Sequence, residues 1–419
     1  MGLKSGYLKQ YFKGIIAKKL SAVEVDELKS HQHELNATSR MKQILGSENR
    51  VFEKADFLYI SDDEEKNISS KNRLKWYDSR EKDPNRSEYR LYYSKNPVIE
   101  KAFAGDSIFI CLKQDDNVLC IVSGKDDNIT SQLYWLFDID DNAAGRYALN
   151  AELQTDGEHL EFAVRTILAQ IGIEYEENDT ENLLPVLLEH FGNKFPKTDI
   201  FSAYARKLVH DVDPVADPDG TLIKWFDMEE KLFFLLERNT IKERLKLGFI
   251  QDDNVDVDGF VKFSLSVQNR RKSRAGLSLE NHICALLNAN GIEYSHTPVT
   301  ENRSKPDFLF PNIECYRNKD FPSAQLTMLG SKSTCKDRWR QVLAEADLID
   351  RKHLLTLEAA ISVYQTDEMQ TKKLQLVIPK AIHKTYTTGQ QQWLYSVEDF
   401  LEEVAEKQRR TPYVSMLHR

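Results

Sequence analysis

Ser304-Lys305-Pro306-Asp307-Phe308-Leu309-Phe310-Pro311 is the stretch that decides the fold of this chain. A Pro-Asp step leads into a short apolar run, which predicts a buried strand over Asp307–Phe310. A second apolar run ends at Lys332, and Glu345 follows thirteen residues later on a predicted helix over Cys335–Ile349. A lysine and carboxylates at this spacing are the side chains that a magnesium-dependent phosphodiesterase uses.

The chemistry explains why these residue types matter. Phosphodiester hydrolysis needs an attacking water, a Lewis acid and stabilisation of the extra negative charge. Mg²⁺ prefers carboxylate oxygen, so Asp307 and Glu345 are the candidate metal ligands, and Glu280 on the preceding helix can complete the acidic set. Lys332 can orient the water or stabilise the developing charge. The usual nuclease signature places an acid two residues before this lysine; that position is Gly330 here, so we expect Glu345 to replace it.

The predicted helix from Cys335 would place Arg338 and Glu345 on one face, where they offer a base-reading arginine and a metal ligand two turns apart. A second interpretation stays open at this point. Pro-Asp steps occur in many loops, and a lysine–glutamate pair on a surface helix is usually a weak exposed ion pair. Taken alone, Asp307 or Glu345 would then be structural.

Length and composition bound the class of protein. A chain of 419 residues predicts two or three domains. The five cysteines form no Cys-x-x-Cys pair, so neither structural zinc nor a disulfide framework is indicated. No run approaches the roughly 20 apolar residues of a membrane helix, and the start shows no secretory signal, so we expect a cytoplasmic protein without a membrane segment. The net charge of −9 does not exclude DNA, because a basic face is enough for binding.

The first part of the chain, residues 1–150, is predicted to be rich in short strands, which suggests a barrel or a sandwich. One helix is expected over Ser39–Leu45. The predicted strands are Val51–Ile60, Arg73–Tyr77, Tyr89–Tyr93, Ser107–Leu112, Asn117–Ser123 and Gln132–Phe137. Residues 151–195 are interpreted as a connecting region with helical segments at Glu161–Ile171 and Leu183–Phe191.

The last part, residues 196–419, alternates helices and strands after a helical start, which predicts an α/β sheet with helices on its faces. The predicted helices are Asp199–His210, Leu222–Glu237, Val257–Val267, Leu277–Asn290 and Val397–Lys407. The predicted strands, besides Asp307–Phe310, are Glu293–His296, Gln325–Lys332, His353–Leu357 and Leu374–Ile378.

Three segments of this last part, Asn269–Glu280, Lys305–Pro311 and Lys332–Gln341, closely resemble the EcoRII family of type II restriction endonucleases. The similarity runs from about residue 195 to about residue 404 and includes Tyr316. More faintly, the beginning of the chain resembles the effector domain of that family. The segments that carry this fainter similarity are Lys18–Ala22, Ser30–Gln32, Tyr77–Arg80 and Arg86–Arg90.

The resemblance implies a multidomain protein of α+β and α/β class. It implies an N-terminal DNA-binding β-pseudobarrel of the plant transcription-factor type over 1–150. It also implies a C-terminal α/β/α restriction-endonuclease-like domain over 196–419. Asp307, Lys332 and Glu345 match the catalytic positions, with Glu280 as an additional acid, and members of the family use Mg²⁺.

The resemblance also implies DNA contacts. Lys336, Asp337 and Arg338 match positions that read C·G pairs, which suits donors for guanine and an acceptor for cytosine. The basic cluster before the helix that starts at Leu277, comprising Arg270, Arg271, Lys272 and Arg274, is expected to contact the DNA backbone or a partner subunit. The N-terminal candidates for gripping phosphate or bases are Lys18, Lys19, His31, Arg86, Glu88 and Arg90.

The expected function is therefore Mg²⁺-dependent cleavage of both strands of double-stranded DNA at a short C/G-containing, CCWGG-like site, by a homodimer of a restriction-modification system. The N-terminal effector domain is expected to bind a second or modified copy of the site and to block the catalytic cleft until it does. Two alternatives remain: a DNA-binding regulator with an inactive nuclease domain, and a structure-specific repair nuclease.

Overall fold

The computed structural model describes residues 11–25, 34–37, 39–83, 85–139, 164, 167–168, 171, 183–251, 254–335 and 338–410. The chain forms two compact units. We call Met1–Glu174 with Ala359–Gln365 the N-terminal unit, and Tyr175–Glu358 with Thr366–Arg419 the C-terminal unit. The two units divide first between Glu174 and Tyr175, which lies inside the predicted connecting region 151–195. The domain boundaries given above from the sequence stay predictions. Within the described ranges, no helix has both the length and the hydrophobicity needed to cross a bilayer.

In its described part, the N-terminal unit is built on a seven-stranded sheet of order β1-β6-β7-β3-β4-β5-β2. The pair β3–β7 is parallel and the other pairs are antiparallel. The strands are β1 Phe12–Lys19, β2 Glu34–Asn36, β3 Arg50–Ile60, β4 Ile68–Asp78, β5 Tyr89–Tyr93, β6 Ser107–Lys113 and β7 Val118–Ser123. The helices are α1 Ala22–Val25, α2 Ser39–Leu45, α3 Pro97–Glu100 and α4 Asn128–Leu136. The pseudobarrel stays a prediction.

Alternation along the central strands separates two hydrophobic cores. In β1, Ile16 joins the core that contains the α2 residue Met41, whereas Ile15 joins the core that contains the α4 residue Leu133. Successive strand side chains point to opposite faces, so both faces of this sheet are covered. Five predicted strands and the helix Ser39–Leu45 are confirmed, with end shifts of up to five residues.

The predicted strand Gln132–Phe137 is wrong, because the chain there forms the end of helix α4. Ile129, Leu133 and Leu136 are buried at spacings of four and three residues, which is the period of a helix. The aromatic content of the segment had suggested a strand, but the helical period sets the structure. The predicted helix Glu161–Ile171 lies mostly outside the described residues.

In its described part, the C-terminal unit begins with four helices that pack on one another. They are α5 Leu183–Phe191, α6 Thr198–Leu208, α7 Pro218–Leu247 and α8 Val257–Ala289. A short hairpin of β8 Ile250–Gln251 and β9 Asn254–Val255 joins the two long helices. Asp217 and Asp256 cap α7 and α8, since each carboxylate accepts a hydrogen bond from a backbone N–H of the first turn. The two helices predicted at Val257–Val267 and Leu277–Asn290 are thus one continuous helix.

Among the described residues, the sheet of the C-terminal unit has five strands in the order β10-β11-β12-β13-β14. The first three strands are antiparallel and the last three are parallel, which gives a mixed α/β sheet. The strands are β10 Ser295–His296, β11 Phe308–Phe310, β12 Thr327–Lys332, β13 Lys352–Thr356 and β14 Leu374–Val377. The later helices are α9 Ile313–Arg317, α10 Trp339–Val342, α11 Val363–Thr371, α12 Thr388–Gln391 and α13 Val397–Arg409; of these, α11 begins in the segment Ala359–Gln365, which belongs to the N-terminal unit.

Candidate active site

Asp307 and Lys332 meet across the β11–β12 pair. One oxygen of Asp307, Oδ2, accepts a hydrogen bond from the backbone N–H of Ser331 at 2.7 Å and from Lys332 Nζ at 2.9 Å. The side chains of Asp307 and Lys332 are 14% and 20% exposed, so the pair is shielded but reachable from solvent. The antiparallel register brings the start of β11 beside the end of β12, as the sequence predicted.

Gly330 shows why no acid stands two residues before the lysine. A Cβ at Gly330 would lie 2.8 Å from Val342 Cγ2 and 3.2 Å from Val342 Cγ1. Val342 belongs to α10 and is fully buried, so it has little room to move. The close packing of α10 on β12 therefore leaves no space for a carboxylate side chain, and an acid must come from another element.

Glu345 lies beyond a short helix and not within a long one, so the predicted helix Cys335–Ile349 is wrong. Helix α10 covers only Trp339–Val342, and the chain continues in turns in which Glu345 N donates to Val342 O at 3.2 Å. Ala346 then takes a left-handed backbone conformation with φ 50°. Buried side chains spaced three and four residues apart occur in a series of turns as well as in a continuous helix. The spacing alone therefore could not distinguish the two, and the helix prediction failed.

The Glu345 carboxylate is close enough to the pair to interact with it electrostatically. The pKa of Glu345 is raised to about 7, first by burial and then by the Asp307 carboxylate, while Lys332 and Lys352 oppose the rise. The residue is half-buried, and its buried Oε2 atom has no hydrogen-bond partner within the ranges that the structure describes. The structure thus brings together the aspartate, the lysine and the glutamate that the sequence singled out.

Glu280 reaches the same place from α8. Burial and then the Asp307 carboxylate raise the pKa of Glu280, and Lys332 opposes this rise. His296 Nε2 lies 3.0 Å from Glu280 Oε2. His296 ends β10 opposite Phe308, one residue from Asp307, and the sequence reasoning missed it. Only the pairing of β10 with β11 could have revealed it.

The donor set fits a divalent cation. Two carboxylates, Asp307 and Glu345, repel each other, and a buried oxygen of Glu345 has no hydrogen-bond partner among the described residues. Within the described ranges, no group of three or more His, Cys, Asp or Glu side chains is arranged to hold a metal. Mg²⁺ commonly uses one or two carboxylates and completes its shell with water and substrate phosphate, so Asp307 and Glu345 are sufficient.

The predicted base-reading residues are described only in part, because Lys336 and Asp337 lie outside the described residues. Arg338 is exposed, and its Nη2 donates to Thr334 Oγ1 at 3.1 Å. The segment begins at Cys335, whose backbone N–H donates to the buried carboxylate of Glu358. Glu358 lies two residues after β13, so a buried acid beyond a neighbouring strand holds the start of this segment.

The basic cluster lies inside α8 and not before a helix, so that part of the prediction is wrong. Arg271 Nε donates to Glu237 Oε2 of α7 at 2.7 Å. Arg274 is 6% exposed, and its guanidinium carbon lies 4.2 Å from the centre of the Phe201 ring. The guanidinium carbon of Arg270 lies 4.5 Å from the centre of the Phe195 ring, and the Lys272 side chain lies outside the described part of the chain. A buried Arg274 is not available to a DNA backbone or a partner, since it stabilises the helical layer.

The first N-terminal candidates, Lys18 and Lys19, lie at the end of β1. Lys18, in β1, pairs with the buried carboxylate of Glu24 and donates to Asn36 O at 3.4 Å. Lys19 is the last residue of β1 and is exposed, whereas His31 lies outside the described residues.

The second N-terminal group forms an ion-pair chain at β5. Glu88 accepts from Arg80 Nε at 2.7 Å and from Arg90 Nη2 at 3.0 Å. Arg90 Nη1 also donates to Glu34 Oε2 at 2.7 Å, a partner that the sequence reasoning missed. Arg86 is exposed in the preceding loop. Donor and acceptor groups thus alternate around the start of β5.

Comparison with known proteins gives a consistent result. A family model described as "EcoRII C terminal" matches residues 233–401. The chain is 38% identical over 220 residues to the type II restriction enzyme EcoRII of Escherichia coli, over 52% of this chain and 53% of that protein. The chain thus spans about half the length of the curated relative that it matches. The predicted resemblance to the EcoRII family is confirmed.

Two solved structures were also found to be similar. One is metal-depleted Ecl18kI in complex with uncleaved, modified DNA, with 19% identity, a TM-score of 0.43, and coverage of 54% of this chain and 84% of that chain. The other is the PspGI–substrate DNA complex, with 16% identity, a TM-score of 0.39, and coverage of 56% of this chain and 97% of that chain.

Proposed function

Since residues 233–401 match the EcoRII C-terminal family model, we propose that this chain is a type II restriction endonuclease that hydrolyses both strands of duplex DNA with Mg²⁺. The observation that carries the proposal is the meeting of Lys332 Nζ with Asp307 Oδ2 at 2.9 Å beside the half-buried Glu345 side chain. The inactive-regulator alternative is disfavoured because all three groups are present and close together.

Each residue has a role that its geometry supports. The N–H of Ser331 fixes the orientation of the Asp307 carboxylate. Lys332 holds its ammonium beside that carboxylate, where it can orient the attacking water or stabilise the negative charge of the transition state. Asp307 and Glu345 would hold Mg²⁺, which when bound supplies Lewis acidity. Glu280, paired with His296, adds an acid at the edge of this set.

The target and the assembly are also proposals. Lys336, Asp337 and Arg338 would read adjacent C·G pairs, because arginine and lysine donate to guanine and a carboxylate accepts from cytosine N4. By analogy with the family, the site would be CCWGG-like. A symmetric duplex cut on both strands suits a two-fold homodimer with one active site per strand.

The N-terminal unit would act as an effector domain that binds a second or modified copy of the site and holds cleavage back until then. The segment that follows β13 is itself part of this unit. Ala359–Gln365 packs inside the N-terminal unit, where Ser362 N donates to Asn128 Oδ1 at 3.0 Å and Gln132 Nε2 donates to Ala359 O at 3.0 Å. The alternating charges of Arg80, Glu88 and Arg90 offer both donors and acceptors to DNA.

Cleavage of a plasmid of known sequence tests the proposal. We expect discrete fragments with Mg²⁺ and none with a chelator, and mapping the ends of the fragments gives the target site. Lys332→Ala and Asp307→Ala should abolish cutting while binding to the same DNA persists, because both residues act on the reaction and not on the fold. Fragments of random size would favour the repair nuclease, and a shift of DNA without cutting by the wild type would favour the regulator.

A further inference from the structure

The turn that carries Glu345 is not held by regular secondary structure. Helix α10 ends at Val342, and Ala346 takes a left-handed conformation. No hydrogen bond from the part of the chain that the structure describes reaches the buried Oε2 of Glu345. The position of this carboxylate opposite Asp307 therefore depends on whatever anchors the residues around it.

The hydroxyl of Tyr316 supplies such an anchor. Tyr316 is 3% exposed, and its hydroxyl accepts a hydrogen bond from Leu348 N at 3.2 Å, three residues after Glu345. The same hydroxyl donates to Glu301 Oε2 at 2.7 Å. One oxygen thus uses both its donor and an acceptor capacity, which fixes the orientation of the hydroxyl group.

The other end of this connection is the element that carries Asp307. Tyr316 lies in α9, which follows β11 after two residues, and Asn312 caps this helix by accepting from Cys315 N at 2.8 Å. The path from Asp307 through β11 and α9 to the Tyr316 hydroxyl is short and buried. The hydroxyl therefore joins the strand that positions one carboxylate to the turn that positions the other.

Two neighbouring contacts hold the same turn without involving the tyrosine. Lys352 is 8% exposed, and its Nζ donates to Ile349 O at 3.1 Å. Ser304 Oγ donates to Ala344 O at 3.4 Å. Removal of the Tyr316 hydroxyl alone should therefore loosen the turn without unfolding it, because these anchors remain.

We infer that Tyr316 is a positioning residue, whose hydroxyl holds the Glu345 turn at the separation from Asp307 that a divalent cation requires. The inference rests on the proposed function, since it assigns Glu345 to the metal site. It predicts that Tyr316 governs cation affinity and leaves the rate at saturating cation almost unchanged. The inference assigns the tyrosine no direct contact with the cation or the DNA.

Direct Mn²⁺ binding to the whole protein, followed by the electron paramagnetic resonance signal of free Mn²⁺, tests the inference without any reaction. Tyr316→Phe removes one oxygen, and we expect Mn²⁺ to bind about fivefold more weakly, the effect of losing one hydrogen bond. Tyr134→Phe is the matched control. Tyr134 is also buried, and its hydroxyl lies 3.0 Å from Ser107 Oγ in the N-terminal unit, so Mn²⁺ affinity should not change.

Plasmid cleavage provides the second measurement. In Tyr316→Phe, the Mg²⁺ concentration for half-maximal rate should rise about fivefold, while the rate at saturating Mg²⁺ should stay within about twofold of the wild type. A lower saturating rate with an unchanged Mg²⁺ midpoint would assign the hydroxyl to the chemical step and overturn the inference. Unchanged Mn²⁺ affinity would also overturn it.

A third variant keeps the inference testable if Tyr316→Phe does not fold. Glu301→Ala leaves the ring of Tyr316 in place and removes the acceptor of its hydroxyl proton, so it should weaken Mn²⁺ binding in the same direction. Unchanged Mn²⁺ affinity in Glu301→Ala overturns the inference. Failure of the proposed function would look different. The wild type would then bind Mn²⁺ and Glu345→Gln would lose this binding, which shows that Glu345 holds the ion, but the wild type would cut no DNA.

Discussion

Glu345→Gln should make the protein more stable at alkaline pH while it abolishes cleavage. The pKa of Glu345 is raised from 4.5 to about 7, first by burial and then by the Asp307 carboxylate. At 1.36 kcal/mol per pKa unit, this rise corresponds to about 3 kcal/mol, and partial exposure of the side chain reduces the effect to about 2 kcal/mol. Glutamine keeps the shape of the side chain and cannot ionise, so it avoids this cost.

The sign of the pH dependence follows from linkage. Because the pKa in the folded protein is the higher one, the stability that protonated Glu345 contributes is fully present below 4.5 and is lost as the pH rises through about 7. The advantage of Glu345→Gln over the wild type should therefore reach about 2 kcal/mol near pH 8.5 and shrink towards zero near pH 4.5.

Urea denaturation in the presence of a chelator, followed by tryptophan fluorescence at several pH values, measures this difference. Glu402→Gln, at an exposed position of α13, is the control and should show no comparable gain at alkaline pH. A difference between Glu345→Gln and the wild type that does not vary with pH would refute the reasoning. A less stable variant at alkaline pH would refute it as well.

Two further predictions concern packing and domain organisation. Gly330→Ala should lower the free energy of unfolding by about 1–3 kcal/mol, because the added methyl would lie 2.8 Å from Val342 Cγ2; unchanged thermal unfolding would contradict the close packing of α10. A fragment starting at about residue 195 should cleave plasmid DNA faster than the whole chain, since the proposed effector domain is absent; equal or slower rates would remove the autoinhibition proposal.

The pairing of Asp307 with Lys332 could be predicted from the sequence because its signals are local. Asp307 and Lys332 each border an apolar run, and strand pairing then brings them together without further information. The position of Glu345 could not be predicted in the same way. Its turn depends on α10 packing against Gly330 and on the hydroxyl of Tyr316, and neither contact leaves a periodic trace in the sequence.

The basic cluster shows a second limit of sequence reasoning. Four basic residues within five positions suggested a surface for DNA, but Arg271 and Arg274 face α7 because Glu237 and Glu229 lie there. A cluster of charge indicates a function only when its partners on other elements are known. His296 and Glu358 were missed for the same reason. Their hydrogen-bond partners, Glu280 and the backbone N–H of Cys335, lie far from them in the sequence.

The continuity of helix α8 sets a rule for how this protein can change during evolution. The helix has 33 residues, and Arg274 is locked in the helical layer six positions before Glu280. Each residue turns a helix by about 100°, so inserting or deleting one residue between these two positions would swing Glu280 away from Asp307. Descendants can lengthen or shorten the hairpin before α8, but the interval from Arg274 to Glu280 must keep its length.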